Sequence, residues 1–220
     1  MSVIRSHFET GLRELKDLLL QMGERTEQAL DQSITALKEQ DVVLAEKIID
    51  QDIKINRLEE EINEKAILMI ATQSPVASDL RRIIAALKIS SDVERIGDYA
   101  VNIAKSVQMI GQKPLIKPLV DIPEMASISQ TMLTQSLQAY YDEDLQLAKD
   151  VAETDDKVDT MYGITVQELL VLMSHNADAI EQITQLAFVC RYLERTADHC
   201  TNISESIIYL INGKRYDLND

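Results

Sequence analysis

The segment DVERIGDYAVNIA, Asp92–Ala104, returns near the end of the chain as YLERTADHCTNIS, Tyr192–Ser204. Glu94 and Glu194, Asp98 and Asp198, Asn102 and Asn202 are each one hundred positions apart, so the pattern ExxxDxxxNI occurs twice in register. The chain reads as two copies of one unit. Positions i, i+4 and i+8 follow one face of an α-helix, so each copy displays two carboxylates and an amide as a ladder. In the first copy the ladder shares a heptad stripe with Leu80, Ile84, Leu87 and Val101. Carboxylates within an apolar stripe require compensation by protons, cations or hydrogen bonds.

Outward from these segments the repeat is traceable through QSITALKEQDVVLA, Gln32–Ala45, and QSLQAYYDEDLQLA, Gln135–Ala148, at an offset of 103. Asp52, Lys54 and Asn56 match Asp155, Lys157 and Asp159 at that offset, which falls to 100 only past the second turn of each unit. Apolar residues at 3-4 spacing predict a helix over 3–39, a second from an Asp41 N-cap to about Thr72, a turn at Gln73–Pro75, and a third over 76–111. Lys113–Pro123 holds three of the four prolines and reads as a linker. Helices are then expected over 123–141, 142–174 and 178–211. The fold class is therefore all-α: two tandem antiparallel three-helix bundles, six long helices in all, occupying 1–112 and 124–220.

Composition agrees. Only 6 Gly, 4 Pro, no Trp and 2 Phe accompany 45% apolar residues, a mix suited to long helices with an ample core. A net charge of −15 disfavours nucleic acid and anionic lipid surfaces and suits cations or basic protein surfaces. Cys190 and Cys200 lie ten apart on one predicted helix, roughly 15 Å of rise, so they cannot form a disulfide there and read as buried thiols. The N-terminal residues contain no apolar signal core, and no window approaches the ~20 apolar residues of a membrane span, so a soluble cytoplasmic protein without membrane insertion is expected.

Antiparallel neighbours set residues level when their distances from the turn are equal. With the turn near Gln73, Asp52 and Asn56 are expected within about a turn of Glu94, and Glu27 stands next to the residue of the first helix level with Asp52. In the second unit Asp155 and Asp159 come close to Glu194 and Asp198, and Gln130 replaces Glu27. The candidate ligands are thus Glu27, Asp52, Asn56, Glu94 and Asp98, then Asp155, Asp159, Glu194 and Asp198, with the first unit expected to hold the better site. Oxygen-only donors favour iron(III), Mn, Mg or Ca, with zinc where water completes its shell. The plainer alternative pairs the acids with Arg95 and neighbouring basic residues on a solvated face.

The stretches QSPVASDLRRIIAALKISSDVERIGDYAVNIA (73–104) and CRYLERTADHCTNISESIIYL (190–210), with the two-copy layout, closely resemble the PhoU family, accessory regulators of bacterial phosphate-specific transport. The resemblance implies E(D)xxxD motifs that bind multinuclear iron or zinc, carried here by Glu94, Asp98, Glu194 and Asp198. It also implies homodimerisation and a non-enzymatic role linking the ATPase subunit of the phosphate ABC transporter to a sensor histidine kinase, as a negative regulator of the starvation response. Two competing readings are a carboxylate-bridged di-iron oxidase or ferroxidase and a purely structural bundle. The former calls for Glu-x-x-His pairs, but Gly97 and Ala197 stand three residues after Glu94 and Glu194. His199 is turned about 100° off the ladder and is expected to be structural. No Ser or Cys is placed with a convincing His and acid for nucleophilic hydrolysis.

Overall fold

The computed structural model describes residues 3–214 and Leu218. The helices are α1 (Val3–Glu39), α2 (Val42–Gln51), α3 (Ile53–Gln73), α4 (Ala77–Ile110), α5 (Asp121–Asp142), α6 (Leu145–His175) and α7 (Ile180–Asn212), with a single 3-10 turn, Ala177–Ala179, between the last two. No strand occurs among the described residues. α1, the α2–α3 rod and α4 form one three-helix bundle, and α5, α6 and α7 form the other. The bundles meet along α4 against α7 and α1 against α5. Their buried side chains make one continuous core.

The duplication is preserved in the backbone. Gln40 and Glu143, equivalent at the offset of 103, both turn the chain with left-handed φ of 52° and 54°. The next residues, Asp41 and Asp144, cap α2 and α6 alike, each accepting hydrogen bonds from the backbone N–H groups two and three residues on. Both turn residues also tie the molecule together. Gln40 Nε2 donates to Gly111 O (2.8 Å) and Lys113 O (2.6 Å). Glu143 accepts from Arg82 of α4 at 3.1 and 3.2 Å and from Lys16 of α1 at 3.4 Å.

Three expectations are revised. The helix predicted from Asp41 to Thr72 runs as α2 and α3, tightened at Asp52 alone, whose backbone keeps helical angles (φ −54°, ψ −36°) and whose carbonyl accepts from the Ile55 N–H at 2.8 Å and the Asn56 N–H at 3.2 Å. α6 passes the equivalent Asp155 without a break. The buried face of α4 is Ile83, Ala86, Ile89, Val93, Ile96, Ala100 and Ile103, so the Leu80–Glu94 stripe lies at its edge. Leu80 is 37% exposed there, whereas Val101 is buried. Finally, the Pro-rich linker is strapped down. Leu115, Ile116 and Leu119 pack on the core. Gln182 accepts from the Ile116 N–H (2.7 Å) and donates to Pro114 O (3.1 Å). α5 begins at Asp121, with Pro123 in its first turn, where a missing N–H costs nothing.

Between the bundles, His199 Nδ1 lies 2.8 Å from Asp92 Oδ1, and the rings of Tyr99 and Tyr192 stack with centroids 6.0 Å apart. Asp92 and Tyr192 are repeat equivalents, as are Tyr99 and His199. α4 and α7 therefore run antiparallel and cross at a local two-fold axis near residues 95–96 and 195–196. Cys190 and Cys200 are free and buried as expected, and burial pushes the Cys190 thiol up to about 12.

Candidate functional site

In the first bundle the Asp52 carboxylate faces α4. Gly97 makes the approach possible: a Cβ there would stand 3.1 Å from Ile55 Cδ1 and 3.9 Å from Asp52 Oδ1. Asp52 therefore sits level with Gly97 and Asp98, about one turn beyond the expected Glu94. The difference arises because α3 continues to Gln73 and α4 starts at Ala77, which centres the turn on Pro75.

Asn56 Nδ2 donates to Asp52 Oδ2 at 3.1 Å, while Asp52 Oδ1 and Asn56 Oδ1 are buried with no hydrogen-bond partner. Burial raises the Asp52 pKa, and Asp98 adds to it against the Asn56 hydrogen bond and Lys105. Burial likewise raises Glu94, reinforced by Asp98 and opposed by Arg95. Arg95 reaches both motif acids, Glu94 Oε2 at 3.7 Å and Asp98 Oδ2 at 3.2 Å. Glu27 does not join this group. It faces the other bundle and accepts a hydrogen bond from Thr134 of α5 at 3.1 Å.

The second bundle gathers its acids more tightly. Carboxylate oxygens of Asp155, Asp159 and Asp198 lie within 4.8 Å of one another. Asp155 and Glu194 are 9% and 8% exposed, and Asp155 Oδ1 and Glu194 Oε2 have no hydrogen-bond partner. Burial, then Asp159, Asp198 and Glu194, push the Asp155 carboxyl up to about 7. Burial also raises Asp159, followed by the charge of Asp198. Glu194 is raised by burial and Asp198 against Arg191 and Arg195. Arg191 pairs with Glu194 and lies over the Tyr162 ring at 5.7 Å, and Arg195 pairs with Asp198 at 2.9 Å. The convergence of three carboxylates falls in the second unit, where Asp159 stands in the place that Asn56, an amide, holds in the first.

These donor sets fit hard cations. They are oxygen-only, and each contains buried oxygens with no hydrogen-bond partner among the described residues. The ladder arginines cover part of each set, as the plainer reading anticipates, and leave Asp52 and Asp155 without an ion pair among those described. Reasoning from sequence missed Glu59, whose charge bears on Glu94, and Asp156, which bears on Asp159. Glu59 was accessible from spacing, since it follows Asp52 by seven residues on the same face.

Comparison with known proteins assigns the fold and both motifs together. A family model described as "PhoU domain" matches residues 19–107 and again 122–207, one match for each copy. The chain belongs to the PhoU family. A PhoU homolog described as a phosphate-specific transport system accessory protein from Clostridium acetobutylicum is 42% identical, across 98% of this chain and 99% of its own. Its counterpart from Aquifex aeolicus is 39% identical over 92% of each. Among solved structures, PhoU from Pseudomonas aeruginosa superposes with a TM-score of 0.90 at 34% identity, covering 94% of this chain and 100% of that one. The phosphate transport system regulatory protein PhoU from Streptococcus pneumoniae gives 0.89 at 30% identity, covering 96% and 99%. The repeat read from Glu94 and Glu194 is thus the PhoU repeat, and no helix among its described residues is long and apolar enough to cross a membrane.

Proposed function

We propose that this protein is a non-enzymatic regulator of phosphate transport. It acts as an adaptor that links the ATPase subunit of the phosphate ABC transporter to a sensor histidine kinase and restrains uptake and the starvation response when phosphate suffices. The observation that carries this reading is similarity over both copies, without large gaps, to proteins described as phosphate-specific transport system accessory proteins. The cytoplasm, where such an ATPase works, is the corresponding location, and a homodimer is the proposed assembly.

The carboxylates fit a supporting role for metal. Asp52, Asn56, Glu94 and Asp98 would hold iron or zinc in the first bundle, and Asp155, Asp159, Glu194 and Asp198 in the second. Bound there, a multinuclear cation group supplies the positive charge these oxygens lack. The chain's own contribution is to hold them in place: Gly97 lets α3 approach α4, Arg95 and Arg195 orient the motif aspartates, and Asp155 and Glu194 are shielded from water. His199 is engaged with Asp92 and Tyr99, which disfavours the di-iron oxidase reading.

Complementation of a strain lacking the gene tests the reading. Wild type should restore repression of phosphate uptake under phosphate sufficiency, and the purified protein should bind the transporter ATPase and the kinase's cytoplasmic portion. Unrestrained uptake despite normal expression of the wild-type chain would overturn it.

A further inference from the structure

Apolar side chains scattered singly over a surface need no explanation, but three recur here at equivalent positions of both copies. Ile67 and Leu68 on α3 are 63% and 62% exposed, and their counterparts at the offset of 103, Leu170 and Val171 on α6, are both 57% exposed. Leu80 at the start of α4 and Ile180 at the start of α7, equivalent at 100, are also exposed. All six lie within about two helical turns of a hairpin end, α3–α4 in one bundle and α6–α7 in the other. Nearby exposed positions have changed type between the copies: Glu64 is matched by Gln167 and Thr72 by His175. The apolar trio has kept its character on a surface where nothing in the core demands it.

The local two-fold axis sets the two ends apart. Leu80 and Ile180 each lie fifteen or sixteen residues from the α4–α7 crossing, which places them about 45 Å apart along the paired helices. Three aliphatic side chains cannot supply the roughly 800 Å² that each side of a stable interface buries. Two such ends on one rigid body can act together, because the second engages at high effective concentration once the first has docked. Their charge setting is mixed. Exposed Glu64 lies on α3 near the first end, and Arg81 and Arg82 follow Leu80 directly. Exposed Asp178 and Glu181 lie near the second end, with Lys113 beside them. At the second end those two acids also border a cleft of about 370 Å³ between the linker and the α6–α7 turn.

We infer that the two hairpin ends are paired docking knobs for a two-fold-symmetric protein partner. Each subunit of that partner presents an apolar cleft that receives one knob. The inference rests on the adaptor reading above, and a transporter ATPase that works as a pair of identical subunits has the required symmetry.

The test is binding of the purified ATPase dimer to wild type, Leu68→Asp, Val171→Asp and the double variant, with thermal melts to verify folding and sedimentation to verify the oligomer. These side chains are exposed, so folding should be unchanged. Each single variant should weaken binding by at least about tenfold, and the double variant should remove it. Wild-type affinity in the double variant would overturn the knobs and leave the adaptor reading standing. Loss confined to one single variant would overturn the two-fold partner. A change from dimer to monomer in the double variant would make the occupant a second copy of this chain and overturn the inference. Failure of wild type to bind both the ATPase and the kinase would overturn the adaptor reading and this inference with it.

Discussion

Tyr99 and His199 occupy the same place in the two copies, a hundred residues apart, and meet across the axis that relates them, the tyrosine hydroxyl 3.4 Å from His199 Nε2. Because a carboxylate only accepts, the His199 Nδ1–H donates to Asp92 at 2.8 Å. The imidazole thus joins the bundles through both nitrogens. Replacing His199 with Ala leaves Asp92 partly buried without its donor and should cost about 1–3 kcal/mol in urea unfolding. Asp92→Asn combined with it should be less than additive, since both changes remove one interaction.

Metal content should divide unequally between the copies. Changing Asp155, Asp159 and Asp198 to Asn should remove more bound iron or zinc than changing Asp52 and Asp98 to Asn and Glu94 to Gln. Elemental analysis of protein purified without an affinity-metal column is the measurement. Equal losses would show that the tighter convergence in the second bundle has no bearing on affinity.

Protein stripped by a chelator should lose stability as pH rises through the window between about 4 and 7. Asp155 is held near 7 in the folded chain, above its unfolded value near 4, so within this window the folded state binds the additional proton. The displacement bounds the effect at roughly 4 kcal/mol. Asp155→Asn should flatten that part of the urea-midpoint profile and raise stability at pH 8, with little change at pH 4.

Gly23 lies where α1 packs tightly on α5, and a Cβ there would fall 2.0 Å from Leu137 Cδ1. Gly23→Ala should therefore destabilise by about 1–3 kcal/mol, although alanine is the better helix former. Leu137→Ala in the same chain should recover part of that loss. Additive destabilisation by the two changes would mean that the contact is not what excludes a side chain at this position.

The helices were legible because their signals are local. Asp41, Gly111 and Gly213 mark ends wherever they occur, and 3-4 spacing needs no partner to be recognised. The site was legible from height and repeat together: Asp155 and Asp159 stand close to Glu194 by the level rule and match Asp52 and Asn56 in the first copy. What escaped depends on rotation and register. Glu27 has the right height, but it lies on the side of α1 that faces α5, and height along a helix says nothing about azimuth. The pairing of Asp92 with His199 lay outside the reasoning because it joins the two copies, whereas the level rule was applied within each. The tightening at Asp52 has no proline or glycine to announce it.

At Asp52 the backbone keeps right-handed helical angles, φ −54° and ψ −36°. Its carbonyl accepts from the N–H groups of both Ile55 and Asn56, at 2.8 and 3.2 Å. The tightening is one residue long, so α2 and α3 carry on as a single rod, much as α6 does through Asp155. What separates the two copies is therefore the chemistry of their side chains, an amide at Asn56 against a carboxylate at Asp159, on supports of the same kind.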